Sequence, residues 1–240
     1  MPQSTQTEPL PPTPQELNRR FLRQMDVLPP DKLAILPLLV IGAGAVGSTV
    51  VMTLAKSGAC RLTVYDGDSV AEHNLPNQWY GPGDVGKPKV EALRRQVQEA
   101  SGIEIDARVE MFSDAAMPEV CICAVDSMDT RLDLWKVALR QPDLRLYIDC
   151  RMGAEVGMVL PVPMSDLAAR TAYETNLFPS SEAFQAPCTS RATMYCAMGL
   201  AGIVGATISA YVNRRMVQPV TIDFRLLEIH AGIPSETWKR

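Results

Sequence analysis

The chain is 240 residues long, which is enough to bury one sizeable hydrophobic core. Hydrophobic residues make up 47% of it and charged residues 21%, as in an ordinary globular protein. The net charge is -4, whereas proteins that bind nucleic acid normally carry a basic face or a basic total. These values favour a globular protein and argue against a nucleic-acid binder.

The ends and the longest apolar stretch bear on domain organisation. Residues 1–15 are rich in Pro, Thr, Gln and Ser and predict a flexible tail, and residues 16–240 are interpreted as one domain. The N-terminus lacks the basic-then-apolar pattern of a signal peptide. Residues 194–212 carry no charge and have the length of a membrane span, but their Gly and Ala content favours a buried helix. We therefore expect no membrane association.

The cysteines are scattered and form no Cys-x-x-Cys pair, so the sequence shows neither a zinc ribbon nor a thioredoxin-type motif. Free thiols in a reducing cytosol explain them, which predicts a cytoplasmic protein. The six are Cys60, Cys121, Cys123, Cys150, Cys188 and Cys196.

The first half of the chain predicts a strand–helix–strand unit. A short helix over residues 16–28 ends at two prolines, and the apolar run of residues 36–41 predicts a buried parallel strand. A glycine turn and an amphipathic helix follow, ended by Gly58. Residues 61–65 form the next predicted strand, which stops at Asp66. This order within about 30 residues is typical of a βαβ unit.

Strands and helices continue to alternate beyond a loop-like segment. We predict helices over residues 89–100, 130–139 and 194–212, strands over 104–110, 120–125, 146–149, 155–161 and 221–229, and a polar segment over 164–187. The predicted fold class is α/β: a Rossmann-like, mainly parallel sheet with helices on both faces. The C-terminal part would add mixed strands and the buried Gly/Ala-rich helix.

A Gly-x-Gly-x-x-Gly motif follows the first strand. Gly42, Gly44 and Gly47 would let the backbone approach a phosphate at a helix N-terminus. Asp66, at the end of the next strand, is placed to hydrogen-bond ribose hydroxyls. The alternative is a tight structural turn. The motif indicates an adenine nucleotide and does not distinguish NAD from ATP.

The segment after Asp66 makes that distinction through a resemblance. Its pieces are DGD at 66–68, NLPNQ at 74–78 and VGKPK at 85–89. They resemble the acid-x-acid, Asn-Leu-x-Arg-Gln and Val-Gly-x-x-Lys motifs of ThiF, MoeB and HesA proteins and of ubiquitin-activating enzymes. The resemblance covers about residues 20–211, and the chain is similar to the compact bacterial members of this ThiF/MoeB/HesA family.

The resemblance implies an adenylyltransferase. Such an enzyme uses ATP and Mg²⁺ to adenylate the C-terminal carboxylate of a small ubiquitin-like or sulfur-carrier protein that ends in Gly-Gly. It implies that Asp66 and Asp68 bind the nucleotide, with Asp66 on the ribose, that Asn74 and Lys89 contact phosphates, and that Gln78 supports the loop. As alternatives, Lys89 is a solvated lysine at a helix start and Asn74 a turn residue.

Two further residues enter through the same resemblance. Asp126, after the strand VCICAV, matches the family's strand-end aspartate and is implied to hold Mg²⁺; the alternative is a helix N-cap. Arg23, in RFLRQ, matches an arginine that reaches the partner subunit's ATP in dimeric members. A homodimer is therefore expected, and the alternative for Arg23 is a surface arginine.

Cys188 and Asn77 leave questions open. Cys188 matches a cysteine that links covalently to the carrier in some members, so it is either an acyl acceptor or an inert cysteine. The zinc-binding cysteine pairs of many relatives are absent, so no structural zinc is expected. Asn77 stands where the family has an arginine. Either Arg191, Arg151 or Lys87 substitutes for it, or the chain is a non-catalytic nucleotide-binding scaffold. An NAD-linked oxidoreductase is the remaining alternative.

Overall fold

The structure is a computed structural model that describes residues 19–182 and 192–232. Within them, the strands are β1 (Leu38–Ile41), β2 (Leu62–Tyr65), β3 (Asp106–Arg108), β4 (Val120–Cys123), β5 (Leu146–Gly153), β6 (Val156–Pro163), β7 (Val220–Asp223) and β8 (Glu228–Ala231). The helices are α1 (Pro30–Ile35), α2 (Ala45–Ser57), α3 (Lys89–Ser101), α4 (Met128–Ala138), α5 (Leu167–Glu174) and α6 (Met194–Val212). Short 3-10 turns cover Glu72–Asn74, Pro82–Asp84 and Ser180–Glu182.

The strands form one sheet in the order β3-β2-β1-β4-β5-β6-β7-β8. The first five are parallel and the last three join antiparallel. The chain leaves β1 towards β2 on one side and returns to β4 on the other. The carboxyl ends of β1 and β4 therefore form the crevice where open α/β sheets bind ligands.

Helices cover both faces of the sheet. Successive side chains of a strand point to opposite faces, and in the apolar strands both sets of side chains need to be buried. On one face, Leu38 and Val40 pack with α2, α3 and α6, and on the other, Leu39 and Ile41 pack with α4 and α5. The mainly parallel α/β fold predicted from the sequence is confirmed. Cys121 and Cys123 are buried on the face that α4 and α5 cover and are packing residues, as expected.

Helix α6 is long and apolar enough to cross a membrane by length and composition. Cys196, Leu200, Val204 and Ile208 nevertheless lie in the core, against α2 and the sheet. This buried face agrees with the predicted core helix.

The structure differs from, or adds to, the sequence predictions in three places. Of the helix predicted over residues 16–28, residues 19–20 are helical. Residues 21–27 form turns, because Phe21 is buried against Gly58 and the Gln24 side chain donates to the Ser57 carbonyl at 2.6 Å. The predicted polar segment contains α5, which the Asp166 side chain caps. The last predicted strand is a hairpin, β7–β8, whose connection includes Leu227 at a φ of 58°.

Candidate functional site

The glycine turn lies between β1 and α2, against the residue that follows β4. A Cβ on Gly42 would lie 2.7 Å from the Ala124 carbonyl oxygen, and one on Gly47 would lie 1.8 Å from the Gly42 carbonyl oxygen. Both glycines are thus required by the fold. A Cβ on Gly44 would meet nothing within 4 Å. The protein's own packing does not require a glycine there, and the position opens space at the N-terminus of α2, which attracts anions.

Asp66 joins this turn to the end of β2. Its buried carboxylate accepts the backbone N–H of Ala43 at 2.7 Å through Oδ2 and that of Asp68 at 2.8 Å through Oδ1. The buried Tyr80 hydroxyl donates to the Ala43 carbonyl at 2.6 Å. Burial, together with the charges of Asp66 and Asp84, raises the pKa of Tyr80, so its hydroxyl stays protonated. Each carboxylate oxygen can accept more than one hydrogen bond, so Asp66 can also accept from a ligand.

Lys89 is the first residue of α3, and its side chain points back to Asp68. Its backbone N–H donates to the Asp68 carbonyl at 2.9 Å, and its ammonium lies 2.7 Å from the Asp68 carboxylate. The Lys89 side chain is 10% exposed and that of Asp68 65% exposed. The interpretation of Lys89 as a solvated lysine is therefore wrong. Its remaining two N–H donors are available to a ligand as far as the described contacts go.

Asp84 fixes the loop that ends at Lys89, a role that the sequence analysis missed. Its buried carboxylate accepts from the Gly81 N–H at 3.1 Å, from Arg95 at 2.8 Å and from Gln96 at 2.7 Å. Burial would raise the pKa of Asp84, but these hydrogen bonds and the charge of Arg95 together hold it below its ordinary value. The pattern Gly-Pro-Gly-Asp is typical of a turn closed by its last side chain, and this was the available signal.

Three amide side chains line the segment between Asp68 and that loop. The Asn74 Oδ1 accepts from the Ala71 N–H at 2.8 Å, so Asn74 does close a turn. Among the described residues, Asn77 Oδ1 and Gln78 Oε1 are buried and have no hydrogen-bond partner. Buried polar atoms are normally paired, and a bound ligand or ordered water would pair these.

The turn after β4 presents Asp126. Its side chain is exposed, and the N-cap of α4 is Ser127, whose hydroxyl accepts from the Thr130 N–H at 3.3 Å. The N-cap interpretation of Asp126 is therefore wrong. Among the described residues, no group of three or more His, Cys, Asp or Glu side chains could hold a metal ion. A site for Mg²⁺ needs only one or two carboxylates when nucleotide phosphates supply further ligands, so the Asp126 carboxylate fits that use.

A buried charge network lies beside this turn and was also missed. The fully buried Asp149 accepts from Arg131, from Arg151 Nε at 2.8 Å and from the Tyr173 hydroxyl at 3.1 Å. Burial alone would raise the pKa of Asp149, but Arg131 and Arg151 hold it below its ordinary value. The signal in the sequence was an acid and a base within the otherwise apolar strand LYIDCRMG.

Arg23 lies far from the glycine turn. Its neighbour Gln24 contacts Ser57 at the last residue of α2, whereas the glycine turn precedes the first. Helix α2 has 13 residues, which at 1.5 Å per residue separates its ends by about 20 Å. The exposed Arg23 therefore cannot reach the glycine turn of its own chain.

The possible substitutes for the family arginine at Asn77 differ in their surroundings. Lys87 is 54% exposed and lies 3.8 Å from Asp84. Arg151 is buried and bonded to Asp149 and, at 2.9 Å, to the Asn176 carbonyl, so its guanidinium is not exposed to a phosphate and it is not the substitute. Arg191 and Cys188 lie outside the described residues.

The fold and the glycine turn define a nucleotide-binding α/β protein of Rossmann type. A family model described as the ThiF family matches residues 18–215, so the chain belongs to the ThiF family. The resemblance inferred from the motifs of residues 66–89 is thereby confirmed.

Individual proteins of different function match parts of the chain. tRNA threonylcarbamoyladenosine dehydratase 2 of Saccharomyces cerevisiae is 35% identical over 119 residues, which are 45% of this chain and 27% of that protein. The NEDD8-activating enzyme E1 catalytic subunit of Arabidopsis thaliana is 36% identical over 104 residues, 39% of this chain and 22% of that protein. These matches span about a quarter of the relatives' own length, so they do not fix the substrate.

A solved structure shares the fold. E. coli MccB, crystallised with ATP, superposes with a TM-score of 0.66 at 16% identity and covers 89% of this chain and 71% of its own. At this identity the likeness shows the fold alone.

Proposed function

We propose that this protein binds ATP with Mg²⁺ at the glycine turn and adenylates the C-terminal carboxylate of a small ubiquitin-like or sulfur-carrier protein ending in Gly-Gly. One observation carries the proposal. A chain of hydrogen bonds connects Lys89 to the glycine turn: Lys89 bonds Asp68, and Asp66 accepts from the backbone N–H groups of Asp68 and Ala43. The buried Lys89 ammonium and the open space at Gly44 are thereby fixed relative to each other. Such an assembly offers a cation and free helix N–H groups to a polyphosphate.

The chemistry requires fixed positive charge. A carboxylate oxygen attacks the α-phosphorus, and the bond from that phosphorus to the bridging oxygen of the β-phosphate breaks, releasing pyrophosphate. Both reactants are anionic, so fixed cations must offset their repulsion. Lys89 and the N–H groups at the start of α2 supply that charge, and Mg²⁺ held by Asp126 would neutralise phosphate oxygens.

We include a homodimer in the proposal, as the arrangement in which Arg23 could act. Because Arg23 lies near the end of α2 that is about 20 Å from the glycine turn, it acts in catalysis only if a second copy places it at the neighbouring site. The relation to an arginine supplied in trans supports this part of the proposal. Transfer of the acyl group from AMP to Cys188 is the proposed second step, with the thiolate displacing AMP to form a thioester.

Exchange of labelled pyrophosphate into ATP tests the proposed reaction. We expect exchange by the purified protein that depends on a carrier ending in Gly-Gly and disappears in Asp126→Ala. A thioester that is stable to denaturant and cleaved by thiol, absent in Cys188→Ala, would report the transfer step. Tight ATP binding without exchange for any carrier would instead favour a non-catalytic scaffold, with Asn77 as its cause. Preferential binding of NAD would favour the oxidoreductase.

Alanine at two of the motif glycines should separate binding from folding. Gly44→Ala should leave the free energy of unfolding unchanged, since its Cβ meets no protein atom within 4 Å. It should weaken ATP binding at least tenfold, or about 1.4 kcal/mol, because the new methyl group occupies the phosphate's approach. Isothermal calorimetry and urea unfolding measure the two quantities.

Gly47→Ala is the comparison for that prediction. Its Cβ would lie 1.8 Å from the Gly42 carbonyl oxygen, so the turn must shift, at a cost of about 1–3 kcal/mol in stability. An unchanged ATP affinity in Gly44→Ala would show that phosphates do not approach this position.

A further inference from the structure

The backbone that leads into Asp126 is held from both sides. The Ala124 N–H donates to the Ile41 carbonyl at 2.8 Å, which continues the pairing of β4 with β1. The Ala124 carbonyl packs against Gly42. Beyond it, the Arg131 guanidinium donates to the Val125 carbonyl through Nη2. The residue before Asp126 is thus fixed by a side chain from the first turn of α4.

Arg131 is itself held by Asp149. Its Nη1 bonds the Asp149 carboxylate while its Nη2 bonds Val125, so one planar guanidinium links the interior of β5 to the turn after β4. Arg131 is 4% exposed and Asp149 is fully buried, so water does not compete for these bonds. Because the guanidinium is rigid and planar, the position of Asp149 constrains the position of the Val125 carbonyl in the turn.

We infer that Arg131, held by Asp149, is a positioning residue for adenylation: it fixes the turn from which Asp126 reaches the reacting phosphates. The inference rests on the proposed function. A lysine at this position can pair with Asp149 as a point charge but cannot hold Asp149 and Val125 with one rigid group.

Arg151 provides a matched comparison within the same network. It bonds the same carboxylate and is 3% exposed, but its second contact is the Asn176 carbonyl at 2.9 Å and not the Asp126 turn. If the network serves stability alone, Arg131→Lys and Arg151→Lys have equal consequences. If Arg131 positions the turn, they differ in turnover at a similar loss of stability.

The experiment compares these two variants with Val97→Ala, a core variant in the second half of α3, a helix that packs on α2 and β3, where the substitution lowers stability by a cavity. We expect Arg131→Lys to lower kcat for pyrophosphate exchange at least about tenfold with little change in the Kd for ATP. Arg151→Lys and Val97→Ala should keep kcat close to wild type well below their Tm. Should Arg131→Lys fail to fold, Arg131→Gln takes its place, because it leaves Asp149 paired with Arg151 alone; Arg151→Gln is then its match.

Amide hydrogen exchange across residues 124–128 gives a readout that needs no activity. Exchange should accelerate in the Arg131 variant and not in the Arg151 variant. Equal acceleration in both, or a loss of kcat that merely follows Tm as in Val97→Ala, overturns the inference. If the wild-type protein shows no pyrophosphate exchange, the proposed adenylation fails, and hydrogen exchange alone decides whether Arg131 fixes the turn.

Discussion

Replacing Asp149 by asparagine should lower the free energy of unfolding by about 3–5 kcal/mol. The Asp149 carboxylate is fully buried and is shared by two guanidinium groups, those of Arg131 and Arg151. Asparagine has nearly the same shape but no charge, so Asp149→Asn leaves two buried cations without a counter-charge. Urea denaturation followed by circular dichroism measures the loss.

The effect of this substitution should depend on pH. Because the pKa of Asp149 is lower in the folded protein than its ordinary value, its stabilising effect is fully present above the unfolded pKa of about 3.9 and is lost as the pH falls through the folded pKa. The difference between wild type and Asp149→Asn should therefore shrink only below about pH 4.

Asp106→Asn is the control for both statements. Asp106 also pairs with an arginine, Arg108, at 2.8 Å, but its side chain is about half exposed. Exposed ion pairs contribute about 0–1 kcal/mol, so this variant should stay close to wild type. Equal losses in the two variants would mean that burial does not set the strength of the Asp149 network.

The part of the site that was predictable depends on residues close together in the chain. The glycine turn, Asp66 and Lys89 lie on one strand–helix–strand unit and the loop after it, where local spacing determines position. The Asp149 network could not be located in this way. It needs β5 beside β4, a pairing between segments that the sequence does not specify, and the acid and the base within LYIDCRMG were the indication that the sequence offered.

The errors in the fold have a similar origin. The β7–β8 hairpin turns through Phe224, Arg225, Leu226 and Leu227, none of which is a residue type that favours a turn, so a continuous strand was predicted. Residues 21–27 carry helix-forming side chains, yet Phe21 and Gln24 bind the end of α2. At residues 21–27, packing against a distant part of the chain overrides local preference.

Two cations of this site, Arg131 and Lys89, should therefore differ in how much stability their removal costs. Arg131 is bonded to a carboxylate that water cannot reach, so its loss affects the fold. Lys89 is paired with Asp68, whose side chain is 65% exposed, so water can solvate that carboxylate when the lysine is gone. The ion pair of Lys89 thus contributes little to stability, and its buried ammonium is the group we assign to the polyphosphate.

Lys89→Met should accordingly abolish most activity without unfolding the protein. Methionine keeps the apolar stem and removes the charge, so stability should change by no more than about 1 kcal/mol. Pyrophosphate exchange should fall by roughly 10²–10³, the effect of removing one fixed donor from a developing negative charge. The rate of exchange at saturating ATP and the Tm of the same samples measure the two effects.

Lys56→Met is the control, because Lys56 lies at the opposite end of α2, where it donates to the Ala100 carbonyl at 3.0 Å. It should leave exchange unchanged. Lys87→Met examines the neighbouring lysine of the same loop: a loss of exchange there would identify Lys87 as the substitute for the arginine that Asn77 replaces. Full exchange in Lys89→Met would exclude Lys89 from phosphate binding. Its ion pair with Asp68 would then serve only to join the Asp66–Asp68 segment to α3.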